Sequence, residues 1–453
     1  MAKGVFGIKD IHSVSGSERD LKENIEKGFE ADSDFKADSQ KASEKGTEKD
    51  DVTHDSLYQE SLAMHRRLGG VLEVASKVRL RTIHDLSVAY TPGVAEPCRK
   101  ISENPNLVYL YTLKKNTVAV VTDGSAVLGL GNIGPYAALP VMEGKAIIFK
   151  EFAGIDAFPI CLDTQDTEEI IKAVKNLAPV FGGINLEDIS APRCFEIEAR
   201  LREELDLPVI HDDQHGTAIV VFAGLLNALK IVKKELRELK IVISGLGAAG
   251  VAIIKFLIRA GANPERILTC DSQGIVYEGR EGGMNPVKEE IARLTNPEKL
   301  KGGLKEALPG ADLFIGVSVG GIVTEDMVIS MAKDAVVMAM ANPVPEIMPE
   351  AAKRAGARIV ATGRSDFPNQ LNNCLSFPGV FKGALGTCAR KITPEMEMAA
   401  ACALANVVTA GELSEDHIIP DPLDKHVVPA VAKAVAHASL ESCAARKNFE
   451  DST

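Results

Sequence analysis

The sequence predicts an α/β protein of two units, the second a doubly wound parallel sheet, with a helical C-terminal end. Three observations predict it. Short apolar runs with the length of buried strands alternate with helical patterns in both halves, a Gly-X-Gly-X-X-Gly turn joins one such run to an apolar helix, and beyond Ala384 the chain is Ala-rich with no strand-like run. Strands that alternate with helices pair in parallel through crossover connections.

Residues 1–55 are rich in Ser, Asp, Glu and Lys and poor in aromatics, so they bury too little apolar surface to offset the entropy of ordering and are expected to form a mobile polar tail. The patch Gly4-Val5-Phe6-Gly7-Ile8 is read as solvated with the rest. From Leu57 to about Ala75, the spacing of Leu57, Leu62, Met64, Leu68, Val71, Leu72 and Val74 fits a helix. Val118–Val121, Lys145–Phe149 and Pro159–Leu162 read as buried strands, with a Gly-rich segment between the first two. A helix through Ile170, Ile171, Val174 and Leu177, a strand at Ile184–Leu186, a helix over Arg193–Leu205 and a strand end at Val209-Ile210 complete the first unit. The helix Thr217–Val232 leads into the second unit, whose strands are Ile241–Gly245, Ile267–Asp271, Asp312–Gly316, Ala335–Ala339 and Ile359–Ala361. Helices at Met396–Val408 and Pro429–Ala445 are expected to cover the first unit or a partner. The expected division is 1–55 tail, 56–216 first unit, 217–392 second unit and 393–453 C-terminal helices.

The net charge of -12 over 453 residues argues against a nucleic-acid partner, because phosphate neutralisation needs a basic surface. No run approaches the ~18 consecutive apolar residues of a membrane span, and the N-terminus lacks an apolar signal segment, so no membrane partner and a cytoplasmic location are expected. The eight cysteines are scattered without CxxC pairs or zinc-like spacing, as in a chain with reduced, mostly buried thiols.

Two segments match Gly-X-Gly-X-X-Gly: Gly129–Gly134 and Gly245–Gly250. Only the second follows a strand, opens an apolar helix and has an acid, Asp271, at the end of the next strand. There Gly245, Gly247 and Gly250, with Ala248 and Ala249 between them, let the backbone approach a pyrophosphate at a helix N-terminus, which predicts dinucleotide binding. The first match is read as a ligand-free turn or a substrate-side loop. Glu187-Asp188 and Asp212-Asp213 follow neighbouring strands, where parallel sheets bind ligands, and as hard oxygen donors they suit Mg²⁺ or Mn²⁺. On spacing alone, such acids are more often solvated loop charges than metal ligands.

The segments Ser87–Pro97, Thr122–Gly131, Met142–Lys145, Asn185–Asp188, His211–Thr217, Ala341–Pro343 and Phe367–Asn373 together resemble the malic enzymes, specifically the short prokaryotic-type class, over nearly all of residues 56–445. The resemblance implies that residues 56–216 form the substrate and metal domain and 217–392 an NAD(P)-binding Rossmann domain. It also implies that Tyr90 is the general acid, Lys145 the general base, and Glu187, Asp188 and Asp213 the metal ligands, with Asp212 just behind them. Asn342 and Asn373 are similar to asparagines that hold nicotinamide, ribose or substrate carboxylate. The larger malic enzymes carry a carboxylate-clamping arginine where this chain has Ala126, and Arg364 is one candidate to replace it. With the chain ending at Thr453, no acyl-phosphate-transfer-like domain is expected.

These expectations amount to metal-dependent oxidative decarboxylation of L-malate to pyruvate and CO₂, with decarboxylation of oxaloacetate at the same groups. Lys145 acts as base only if its pKa falls well below the ~10.4 of a free lysine, as burial and a nearby cation would make it. Asp271 favours a ribose 2′-hydroxyl and Lys288 a 2′-phosphate, so NAD and NADP both fit, and NADP is the reading preferred. A homodimer or larger homo-oligomer is expected from the resemblance. The alternatives are a metal-independent NAD(P) dehydrogenase of another small acid and a catalytically silent nucleotide-binding protein.

Overall fold

The structure, a computed structural model, describes residues 54–127 and 129–446. The expected mobile tail, apart from its last two residues, lies outside the described residues. Helix α1 (His54–Leu68) belongs to a unit separate from residues 69–453. It ends at Gly69-Gly70, both left-handed, short of the Ala75 expected from apolar spacing.

Helices α2 (Ile83–Ala89) and α3 (Ala95–Glu103) lead to the first sheet. Its strands β1 (Thr117–Thr122), β2 (Asp156–Cys161), β3 (Gly183–Leu186) and β4 (Val209–His211) are all parallel in the order β2-β1-β3-β4. Every residue of β1 is buried, as expected of a strand covered on both faces. The crossovers are α4 (Gly134–Ala153), α5 (Thr167–Leu177) and α6 (Arg193–Glu204). Lys145–Phe149 therefore lies in helix α4, not in the expected strand. Pro135 opens that helix and left-handed Gly154 closes it.

Helix α7 (Asp212–Val232) begins five residues earlier than expected, and Asp212 and Asp213 form its first turn, where the helix dipole favours acids. It is also long and apolar enough to cross a membrane, against the sequence expectation, but 67% of its apolar window is buried inside the fold.

The second sheet comprises β5 (Ile241–Ser244), β6 (Ile267–Asp271), β7 (Gly274-Ile275), β8 (Leu313–Gly316), β9 (Val336–Ala339) and β10 (Ile359–Thr362) in the order β10-β9-β8-β5-β6-β7. Only β7 is antiparallel. Helix α8 (Ala248–Arg259) follows β5, and α9 (Pro286–Leu294) follows β7. The chain closes with α10 (Phe377–Gly386), absent from the sequence reading, α11 (Pro394–Val407) and α12 (Val427–Glu441). Helix α10 packs on α4, α11 on α7, and α12 on both α10 and α11.

One apolar cluster runs from Val118 and Phe149 through Ile219 and Phe222 of α7 to Ile241 of the second sheet and Leu404 of α11. Phe149 lies one helical turn past Lys145, is fully buried, and meets the rings of Phe377 and Phe381 edge-on at centroid distances of 4.7 and 5.4 Å. Phe149→Ala is expected to cost about 3–5 kcal/mol, seen as a lower urea midpoint at unchanged slope. A loss under about 1 kcal/mol would mean that this aromatic cluster does not hold α4 to α10.

Candidate active site

Both sheets reverse their winding direction beside their first strand, and ligands bind at the carboxyl ends of strands at such points. In the first sheet the reversal lies between β1 and β3. Glu187 and Asp188 follow β3, and the Asp188 carbonyl accepts from the Ala126 backbone N–H at 2.9 Å, closing the loop after β1 onto them. Asp188 adopts a left-handed φ of 54°, unusual for a residue with a side chain, and its N–H donates to Asp213 Oδ2 at 2.9 Å. Oxygens of Glu187, Asp188 and Asp213 lie within 4.8 Å of one another. Glu187 and Asp188 are buried, whereas the Asp213 side chain is one-third exposed. Three carboxylates this close repel one another, which a cation or a shared proton relieves, and an all-oxygen donor set fits Mg²⁺ or Mn²⁺.

Lys145 projects from α4 into the same cluster. Its ammonium donates to Asp212 Oδ2 at 2.6 Å, pairs with Glu187 Oε1 at 2.8 Å, and sits 4.2 Å from the centre of the Phe377 ring. Burial works to lower the lysine pKa, but Asp212 and Glu187 outweigh it and raise it. The depressed pKa expected from sequence is therefore not that of the cluster as it stands, in which the lysine is held charged. Burial also raises Glu187, with Asp213 adding to the rise and Lys145 opposing it, and it raises Asp212 to about 6. Asn185 donates to the other Glu187 oxygen at 2.8 Å.

The remaining expected residues fall into two groups. Asn373 sits against Gly216, one turn along α7 from Asp212: a Cβ added at Gly216 would lie 3.3 Å from the Asn373 Cβ. Asn342 precedes a cis proline after β9, and its carbonyl would lie 2.6 Å from a Cβ on Gly129. The first glycine segment therefore abuts the Asn342-Pro343 turn. Arg364 does not offer a free clamp. Its guanidinium pairs with Asp366 at 2.5 Å and donates to the Pro343 carbonyl at 3.0 Å, bracing the same turn. Arg193, passed over in the sequence, reaches Ser125 beside Ala126 at 3.0 Å while paired to buried Asp123 at 2.9 Å.

Tyr90 is not brought to the cluster. It caps α2, its side chain is 66% exposed, and no hydrogen bond of its hydroxyl is found among the described residues. Val74, Ile83 and Val88 of the same stretch are at least 61% exposed, so residues 69–116 present several open apolar side chains.

In the second sheet the reversal lies between β5 and β8. Gly245 has a left-handed φ of 105°, and a Cβ there would lie 2.4 Å from the Val317 carbonyl. A Cβ on Gly250 would lie 1.8 Å from the Gly245 carbonyl, whereas one on Gly247 would meet nothing within 4 Å. The first and third glycines are thus required by the turn, and the second leaves an open approach to the N-terminus of α8, as a pyrophosphate needs. At the end of β6, Asp271 accepts from Arg280 at 2.9 and 2.5 Å and from Lys288 at 2.6 Å. Despite partial burial, these cations hold its pKa down to about 2. Arg280 was not foreseen; its signal was a lone cation nine residues past Asp271, in a Gly-rich turn.

Residues 70–202 match the family model described as the malic enzyme N-terminal domain, and residues 214–443 match the malic enzyme NAD binding domain. The chain is 59% identical to the bifunctional malic/malolactic enzyme of Bacillus subtilis, covering 86% of this chain and 95% of that one. It is 58% identical to the NAD-dependent malic enzyme of Geobacillus stearothermophilus over 84% of this chain and 79% of the relative. Among solved structures, the malic enzyme of Pyrococcus horikoshii matches with a TM-score of 0.83 at 49% identity, covering 87% of this chain and 93% of that one. The NAD-dependent malic enzyme of Thermotoga maritima matches with a TM-score of 0.80 at 53% identity, covering 83% and 98%.

Proposed function

The chain belongs to the malic enzyme family, and on that premise we propose that it oxidises L-malate to pyruvate and CO₂ with NAD(P), Glu187, Asp188 and Asp213 holding Mg²⁺ or Mn²⁺. The observation that carries the reading is the acidic trio within 4.8 Å with a buried lysine on Glu187. When bound, the cation polarises the C2 oxygen of malate and the enolate formed on loss of C4, and the dinucleotide takes the C2 hydride.

The chain's own residues handle position and protons. Lys145 is the group placed to take the proton of the C2 hydroxyl; to do so it must first pass its own ammonium proton to Asp212 Oδ2, 2.6 Å away, a transfer that a cation held by Glu187, Asp188 and Asp213 would favour by repelling the ammonium. Phe377 and the buried walls of α4 and α7 exclude water from that ammonium. Asn373 orients the substrate from beside α7, and Asn342 meets the cofactor or substrate from the second sheet. Tyr90 protonates C3 to complete pyruvate.

Because Tyr90 is exposed among apolar side chains away from the cluster, we take the active form to be a homodimer in which a second copy covers this surface. Each site is then completed by the partner subunit's Tyr90.

Either dinucleotide is expected to serve. Asp271 carries one negative charge against the two positive charges of Arg280 and Lys288, so a 2′-phosphate meets a net cation, while a 2′-hydroxyl can share the Asp271 oxygens. Lys288→Ala is expected to raise KM for NADP roughly ten- to a hundredfold and leave KM for NAD within about twofold, measured by initial rates. Equal losses with both cofactors would show that Lys288 supports the fold of the loop and not the phosphate.

The founding test is absorbance of reduced nicotinamide on mixing the protein with L-malate and Mn²⁺, with NAD and NADP in parallel and again with a chelator. Chelator-sensitive reduction with equimolar pyruvate is expected. No reduction with either cofactor overturns the reading, and lactate formed without net reduction would assign the second activity named in the Bacillus relative.

A further inference from the structure

The turn that carries Asp212 and Asp213 is held from behind by side chains that the reaction does not use. Glu198, on α6, is 5% exposed. Its Oε1 accepts the His211 backbone N–H at 3.0 Å, its Oε2 accepts Gln214 Nε2 at 3.1 Å, and both oxygens lie within 3.0 Å of His215 Nε2. Every one of these contacts falls between residues 211 and 215, bracketing the two acids without touching either.

The far side of the His215 ring is taken by Glu397 of α11, 1% exposed, whose carboxylate lies 2.8 Å from Nδ1. Glu397 also pairs with Arg259, the last residue of α8, at 2.7 Å, and Arg202 lies 3.6 Å from Glu198 and 3.8 Å from Glu397. Buried charges tied in this number admit one arrangement, because any shift strands a charge away from water. Two helices, α6 and α11, therefore converge on one short segment, and a third, the helix that opens at the dinucleotide turn, is tied to it through Glu397.

We infer that Glu198, supported by His215 and Glu397, is a positioning residue for the metal centre, fixing the backbone from which Asp212 and Asp213 project. Glu198 touches neither cation nor substrate, and its action runs through the His211 N–H and the first turn of α7. The inference rests on reading Glu187, Asp188 and Asp213 as cation ligands.

The test is Mn²⁺ affinity of the full chain without substrate, read from the electron paramagnetic signal of free Mn²⁺, for wild type, Glu198→Ala and Glu198→Gln. Dinucleotide affinity by fluorescence and Tm are measured alongside. Glu198→Ala is expected to weaken Mn²⁺ about ten- to a hundredfold, with dinucleotide affinity unchanged. Glu198→Gln keeps an acceptor for the His211 N–H and is expected to recover part of the loss; it carries the test alone if the alanine variant does not fold. Mn²⁺ affinity within twofold of wild type in a folded variant overturns the inference. A wild-type chain that binds no Mn²⁺ overturns the metal reading and this one with it, so the two failures are distinct.

Discussion

Asp213→Ala is expected to abolish both malate oxidation and oxaloacetate decarboxylation while leaving dinucleotide binding intact. Two losses add at this position. The trio is cut to two donors, and the side chain removed is the most exposed of the three. The Asp188 N–H also loses its acceptor at 2.9 Å, so nothing at 213 holds Asp188 in its left-handed φ of 54°. Removing a single preorganised electrostatic group commonly costs about 10²–10³ in kcat, and loss of a cation site should cost at least that in both half-reactions. Measuring the two half-reactions separately, with added Mn²⁺ up to millimolar levels, gives the answer. Oxidation lost with decarboxylation retained would place Asp213 at the hydride step alone, and normal turnover in both would remove it from the metal site.

The parallel strands of both sheets were legible because buried parallel strands are short, nearly uninterrupted apolar runs bounded by Gly, Asp or Asn, whereas the two-residue antiparallel β7 was not read. The same rule misread Lys145–Phe149. That segment is apolar on several sides because α4 is covered by β1, β2 and α10, so no helical period shows through it. The acids after β3 and β4 were visible as carboxylates at strand ends, yet their convergence was not, since it needs the left-handed turn at Asp188 and the helix start at Asp212.

Lys145 was recognisable by resemblance, while its charge state was not. A carboxylate 67 positions away sets it, and long-range pairs of this kind leave no mark on local sequence. Glu198, His215 and Glu397 stayed hidden for the same reason. The glycine turn was legible: Gly245 and Gly250 stand where a Cβ would clash, and Gly247 leaves the approach to α8 open.

Tyr90→Phe is expected to cut turnover by about 10²–10⁴, the usual contribution of a general acid, with stability changed by less than about 0.5 kcal/mol, because the hydroxyl is exposed. The more telling experiment mixes this variant with Asp213→Ala. Residues 69–116 touch the rest of their unit at α4, where the Val71 N–H donates to Glu143 at 3.0 Å, and at the amino-terminal edge of the sheet, where Lys77 lies 3.9 Å from Asp156 at the start of β2. The acidic cluster lies at the opposite end of the strands, roughly 17 Å along β1. If the tyrosine serves the neighbouring subunit, a mixed dimer has one site with both lesions and one with neither. Random association of two inactive variants should then restore about a quarter of wild-type activity. If the tyrosine serves its own subunit, every site in the mixed dimer carries a lesion, and activity stays at the sum of the two variants. That outcome would require residues 69–116 to fold back over their own cluster when substrate binds, and the exposed apolar surface would then belong to a closing flap instead of a subunit interface.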